Sequence, residues 1–147
     1  MNHPTTVDPT EVLAAQHNHA PRVLCVDDDP DIPRSIARIL AQYDVEVLTA
    51  YYGQQGIWET VQQHPDLVIT DVMMPRGDGE NLTNCLKQNQ RTAPIPIIVL
   101  TGLRGRKLRM AMCSLGAERV LTKPIHPQEL ICEIGRYIPL RKKAAEH

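Results

Sequence analysis

Leu67-Val68-Ile69-Thr70, followed at once by Asp71, is the stretch on which the fold turns. Four mostly apolar residues between polar neighbours are too few for a helix, and the β-branched Val68, Ile69 and Thr70 favour extended chain, so the run reads as a buried strand. Three more runs have the same form. Arg22-Val23-Leu24-Cys25-Val26 leads into Asp27-Asp28-Asp29, Ile97-Ile98-Val99-Leu100 leads into Thr101, and Arg119-Val120-Leu121-Thr122 leads into Lys123. Each run ends in a side chain that carries charge or a hydroxyl. If the strands lie parallel in one sheet, these groups meet at one edge.

Between the runs the apolar period changes from that of a strand to that of a helix. Ile32, Ile36, Ile39 and Leu40 recur at helical spacing after strand one, with Pro33 in the first turn, where a missing N–H is harmless. Strand two is expected at Val45–Thr49 and helix two at about Gly53–Gln63. A loop with Pro75, Gly77 and Gly79 leads to helix three, whose apolar face is Leu82, Cys85 and Leu86. Helix four, about Arg106–Leu115, is expected to bury Leu108, Ala111, Met112 and Leu115. Strand five is Arg119–Leu121, and helix five, from about Pro127, buries Leu130, Ile131, Ile134 and Ile138. Short strands alternating with amphipathic helices imply right-handed βαβ units. The expectation is an α/β fold, a doubly wound five-stranded parallel sheet, which binds ligands beyond the carboxyl ends of its strands.

The chain of 147 residues suits one domain. We expect a flexible leader at residues 1–20 with a helical turn near Thr10–Gln16, a folded domain at 21–140 and an exposed basic tail at 141–147 that includes Arg141, Lys142 and Lys143. His17 and His19 are expected to be solvated. Only Pro139–His147 follow Ile138, too little for an output module, so the domain is expected to act alone and by contact with other proteins; a fragment of a longer regulator would look the same. A net charge of −1 argues against general nucleic-acid or membrane-surface binding, and the lack of Phe argues against base stacking. No apolar run nears the ~20 residues of a membrane span, and no secretory signal is present. With Cys25, Cys85, Cys113 and Cys132 in no CxxC pair, the cysteines are expected to be buried thiols of a cytoplasmic protein.

Acids that gather oppose each other's ionisation unless a cation neutralises them, and oxygen donors favour Mg2+, Mn2+ or Ca2+. Lys123 offers a point charge to a phosphate, Thr101 offers a hydroxyl, and a lone carboxylate such as Asp71 can itself be a nucleophile, forming an aspartyl phosphate. Each piece also has a plainer reading. Asp29 can cap helix one, Asp71 can be a turn residue, and Thr101-Gly102 and Lys123-Pro124 can be ordinary loop starts. Their joint placement at the ends of four strands favours a site.

The stretches Val23 to Pro30, Asp66 to Pro75 with Gly77-Asp78-Gly79, Pro96 to Gly102, and Gly116-Ala117 through Leu121-Thr122-Lys123-Pro124 together resemble the receiver domain of two-component response regulators. The resemblance covers about residues 21–140. It implies the flavodoxin-like (βα)5 fold with strand order 2-1-3-4-5. It also implies Mg2+ held by Asp27, Asp28, Asp71 and the backbone carbonyl of Met73. Asp71 would be the phosphoacceptor, Thr101 the switch hydroxyl and Lys123 the phosphate-contacting lysine, with the Lys123–Pro124 bond cis. The implied partners are a sensor histidine kinase or phosphotransfer protein and a downstream protein target, with no nucleic acid or membrane, in a monomer or weak homodimer. The implied role is that of a phosphoacceptor signalling domain rather than an enzyme.

One position departs from that pattern. Three residues before the lysine the family usually has Tyr or Phe, and here stands Val120, short and stiff at χ1. We therefore expect phosphorylation to change the helix-four face less than in relatives, or by loop motion alone. Arg104, Arg106, Lys107 and Arg109 form a basic cluster entering helix four, either a solvated face or a docking patch for an acidic partner. Two rival readings remain at this stage. One is a binding-only module that has lost phosphorylation. The other is a haloacid-dehalogenase-type phosphatase, with Asp27 as nucleophile and Asp29 as acid.

Overall fold

The computed structural model of the chain describes residues 19–74 and 79–144. The expected leader up to residue 18, including His17 and the turn near Thr10–Gln16, lies outside the described residues, as do Pro75, Gly77 and the tail beyond 144. Among the described residues five strands alternate with five helices: β1 (Arg22–Val26), α1 (Asp31–Ile39), β2 (Glu46–Ala50), α2 (Gly53–Gln63), β3 (Leu67–Thr70), α3 (Gly79–Gln88), β4 (Ile97–Thr101), α4 (Arg106–Ser114), β5 (Arg119–Thr122) and α5 (Pro127–Gly135). The strands form one sheet in the order β2-β1-β3-β4-β5. All four pairings are parallel. The doubly wound α/β sheet and its strand order are those expected.

Alternate side chains of each strand go to opposite faces. Val23 and Cys25 of β1, Leu67 and Ile69 of β3, and Ile98 and Leu100 of β4 pack with Ile36 and Leu40 from the α1 region and with Leu130 and Ile134 of α5. Leu24, Val26, Val68 and Ile97 face the other way, onto Leu82 and Leu86 of α3. A smaller cluster of Val72, Val99, Met112 and Ala117 seats α4 on that second side. Strands apolar on both faces are what a parallel sheet covered on both sides requires. The order β2-β1-β3 reverses the direction of winding beside β1, so the carboxyl ends of β1 and β3 flank the crevice.

Several local expectations are corrected. β2 runs Glu46–Ala50, one residue later than Val45–Thr49, because Val45 is drawn into a turn through its amide bond to the Tyr43 carbonyl (3.0 Å) and Glu46 is the residue paired with Arg22. On α3, Cys85 is exposed and Thr83 is buried with Leu82 and Leu86. The Thr83 hydroxyl donates to the Gly79 carbonyl one turn back (2.6 Å), which makes its burial tolerable. On α4 only Met112 is buried; Leu108 and Leu115 lie beside it at helical spacing and Ala111 points to solvent. On α5, Ile131 is half-buried and Glu133 takes a buried place, paired with Arg119 at 3.0 Å. Of the cysteines only Cys25 is buried; Cys85, Cys113 and Cys132 are exposed. The described part of the basic tail is exposed as expected but anchored, since Tyr43 bridges to Lys142 and the Asp44 amide donates to the Arg141 carbonyl (2.8 Å).

Candidate functional site

Asp27 and Asp71 follow β1 and β3, the adjacent central strands, and backbone bonds hold both at the sheet edge. The Asp71 amide donates to the Val26 carbonyl (3.0 Å) and the Asp27 amide to the Ala50 carbonyl (3.1 Å). Both side chains are buried, at 3% and 7% exposure for the whole residues, although each carries a carboxylate. Asp28 is exposed and joins them: carboxylate oxygens of Asp27, Asp28 and Asp71 lie within 4.8 Å of one another. Lys123 reaches in from β5 and donates from Nζ to Asp27 Oδ2 and Asp71 Oδ2, at 2.9 Å each.

Backbone amides orient the acids further. Asp71 Oδ1 accepts from the amides of Val72 (2.7 Å) and Met73 (3.3 Å), and Asp27 Oδ1 accepts from the Asp29 amide (3.0 Å). Asp29 Oδ1 accepts from the Asp31 amide at 3.0 Å, so its side chain serves the first amide of α1 from one residue outside the N-cap, which is Pro30. An acid role for Asp29 in a phosphatase has no support from that geometry. Thr101, the last residue of β4, is 1% exposed; its carbonyl accepts from the Lys123 amide (2.8 Å) and its Oγ1 from the Leu103 amide (3.2 Å). Met73 exposes its side chain, and its main chain meets the cluster through the amide bond to Asp71 Oδ1. The Lys123–Pro124 bond is cis, as the resemblance implied.

Burial dominates the electrostatics. It raises the Asp27 carboxyl above its ordinary range; the hydrogen bonds from Lys123 and the Asp29 amide pull the other way, and the charge of Asp71 adds to the rise. Burial alone would lower the Lys123 ammonium, but bonds and charges from Asp27 and Asp71 outweigh it and raise it. The Cys25 thiol, fully enclosed and near Asp27, is pushed up to about 12. Among the described residues, three carboxylates against one ammonium leave a surplus of negative charge, and every metal-capable donor is a hard oxygen. That set fits a small divalent cation such as Mg2+ better than a soft metal.

The sequence matches the family model of the response regulator receiver domain over residues 23–134. The chain belongs to that family. Receiver domains are signalling domains of two-component systems; they meet histidine kinases and downstream effectors, and they typically bind Mg2+ at an acidic site. This receiver is 35% identical to the hybrid signal transduction histidine kinase D of Dictyostelium discoideum over 126 residues, which is 86% of this chain and 8% of that protein. It is 34% identical to the DNA-binding dual master transcriptional regulator RpaA of Synechocystis, over 78% of this chain and 47% of that one. It thus spans less than half the length of these two relatives. Among solved structures, the chemotaxis protein CheY4 of Vibrio cholerae superposes with a TM-score of 0.76 at 26% identity, covering 81% of this chain and 99% of that one. The BeF3-activated N-terminal receiver domain of Klebsiella pneumoniae RstA superposes with a TM-score of 0.72 at 27% identity, covering 79% and 97%. Among the described residues no helix is long and apolar enough to cross a membrane.

Two contributors to the receiver's site escaped the sequence reading. The amides of Val72 and Met73 carry no side-chain signal. Gly79 was read only as part of the loop that leads to helix three. It is instead a packing requirement: a Cβ there would overlap the Asp71 carbonyl oxygen. Val120 is half-buried, pairs with Val99 on β4 and packs against the cluster that seats α4.

Proposed function

We propose that Asp71 takes a phosphoryl group from the phosphohistidine of a histidine kinase or phosphotransfer protein, with Mg2+ held by Asp27, Asp28, Asp71 and the Met73 carbonyl, and that the receiver then signals by contact with another protein. One observation carries this reading: a single ammonium is shared at 2.9 Å by two buried acids from different strands. A buried acid pair with one cation is costly unless it has a use, and such perturbed groups cluster at functional sites.

When bound, Mg2+ supplies positive charge to the phosphoryl oxygens. The chain's own residues do the rest. The Val72 and Met73 amides fix Asp71 so that its carboxylate cannot swing away. A carboxylate oxygen of Asp71 bonds to phosphorus as the phosphorus–nitrogen bond breaks, and the imidazole leaves with the electron pair. Lys123 neutralises charge on the transferring group. Thr101 turns its hydroxyl to a phosphoryl oxygen, and its bond to the Leu103 amide carries the change into the loop before α4. Val120 has no ring to swing, so that loop is the route of the signal.

Mass measurement after incubation with Mg2+ and phosphoramidate tests the reading. One added phosphoryl group, absent in Asp71→Asn, is expected. No gain in a folded protein would favour the binding-only reading.

A further inference from the structure

The outer side of α2 is apolar where a solvated helix would be polar. Trp58, the chain's one tryptophan, is 58% exposed at the middle of the helix. Val61 lies one turn further on and is exposed too, so the two form a stripe. Tyr51 and Tyr52, which lead into the helix, are also exposed. Gly53, Gly56 and Thr60 take the buried side, with Gly56 against Val26 and Leu82. Glu59 is the only charged residue in the α2 sequence. An exposed apolar stripe of this kind marks a contact surface.

The chain that precedes β1 enters the domain beside this helix. Arg22, the first residue of β1, donates from Nη1 to the carbonyl of Gln63, the last residue of α2, at 3.1 Å. Trp58 is five residues back from Gln63, about 8 Å along the helix axis. From Ala15 to Arg22 is seven residues, which extend to about 23 Å. The preceding segment therefore has the length to reach the stripe. Its sequence also suits it. Asp8-Pro9-Thr10-Glu11 has the order of a helix start, with an acid to cap, Pro at the first position and Glu at the third, and Val7 stands where it can staple to Val12. Helical period then puts Val12, Leu13 and Ala15 on one side. A helix this short is marginal in water and needs a surface to hold it.

We propose that residues 7–16 dock on α2 of the same chain, with Val12 and Leu13 laid over Trp58 and Val61. Both surfaces are apolar and free of charge at the contact. The short tether holds the segment at an effective concentration on the order of millimolar, so a contact too weak to join separate molecules is occupied within one. A second copy of the chain has no such advantage. Nucleic acid and anionic lipid fit poorly, because a helix whose one charge is Glu59 has no cation to offer their phosphates. The contact does not involve Asp71, so it stands or falls apart from phosphoryl transfer.

Trp58 fluorescence in the full chain tests the contact directly, by its emission maximum and by acrylamide quenching. Val12→Asp/Leu13→Asp changes only residues ahead of β1 and leaves the sheet and its core as they are. It should shift the emission to the red and steepen quenching about twofold, as the docked segment leaves the indole. Asp8→Ala, which removes the cap, should act in the same direction by less. Thr5→Asp/Thr6→Asp, with the same added charge ahead of Val7, should match the native chain, and so should Asp71→Asn. A synthetic peptide of residues 1–18, added at millimolar concentration to the Val12→Asp/Leu13→Asp chain, should restore the native slope. Equal quenching in the native chain and in Val12→Asp/Leu13→Asp overturns the proposal. So does native quenching that weakens as protein concentration rises, which gives the stripe to a second copy.

Discussion

Gly79, the first residue of α3, lies so close to Asp71 that any side chain there would overlap the Asp71 carbonyl oxygen. The Gly79 amide also donates to the Val72 carbonyl at 2.9 Å. Helix α3 and the segment after β3 are therefore locked together by main chain alone. Gly79→Ala should cost about 2 to 3 kcal/mol in urea unfolding, since α3 must shift off the sheet. Gly102→Ala, where open space surrounds the new methyl, should stay within about 0.5 kcal/mol. Equal effects at the two positions would refute the close-approach argument.

Among the described residues, Lys123 is the cation paired with Asp27 and Asp71. Lys123→Met should destabilise the metal-free protein by about 1 to 3 kcal/mol, because two buried carboxylates lose their partner. Mg2+ should then raise the melting temperature of the variant more than that of the native chain, since the bound ion replaces the missing charge. Thermal melts with and without Mg2+ read this directly.

Asp27 gives a pH signature. Its folded-state carboxyl titrates above the ordinary value of 3.8, so the folded chain holds this proton more tightly than the unfolded chain does. Its contribution to stability is complete below that ordinary value and is lost as pH rises through the folded value. In metal-free buffer, Asp27→Asn should therefore gain stability over the native chain as pH rises from about 4 to neutrality. The same variant should lose stabilisation by Mg2+. A difference that shrinks with rising pH would reverse the assignment.

Thiol labelling separates the cysteines. Cys25 is enclosed and its thiol titrates at about 12, whereas Cys85, Cys113 and Cys132 are exposed. Iodoacetamide at neutral pH should modify those three in the native protein and Cys25 only after denaturation, as read by peptide mass mapping.

How much of this was legible in the residues follows from how each signal is encoded. β3 and α2 appear where the pattern put them because an inner strand and a bounded helix carry their period in their own side chains. β2 slipped by one residue because an edge strand is half exposed, so its pattern is weak and its register is set by β1. Cys85 and Ala111 were assigned inward from polarity alone, while Thr83 and Glu133 were missed. Whether a threonine or glutamate can be buried depends on a partner, here the Gly79 carbonyl and Arg119.

By itself the sequence determined the alternation of strand and helix, the parallel α/β class, and which acids, hydroxyl and lysine end the strands, because period and composition are properties of neighbours along the chain. Tertiary structure alone decided that Lys123 bridges Asp27 and Asp71, that Gly79 must be bare, and that Val120 pairs with Val99 beside the cluster that seats α4. Those facts are distances between segments far apart in the chain, and they exist only once the sheet has set its strands side by side.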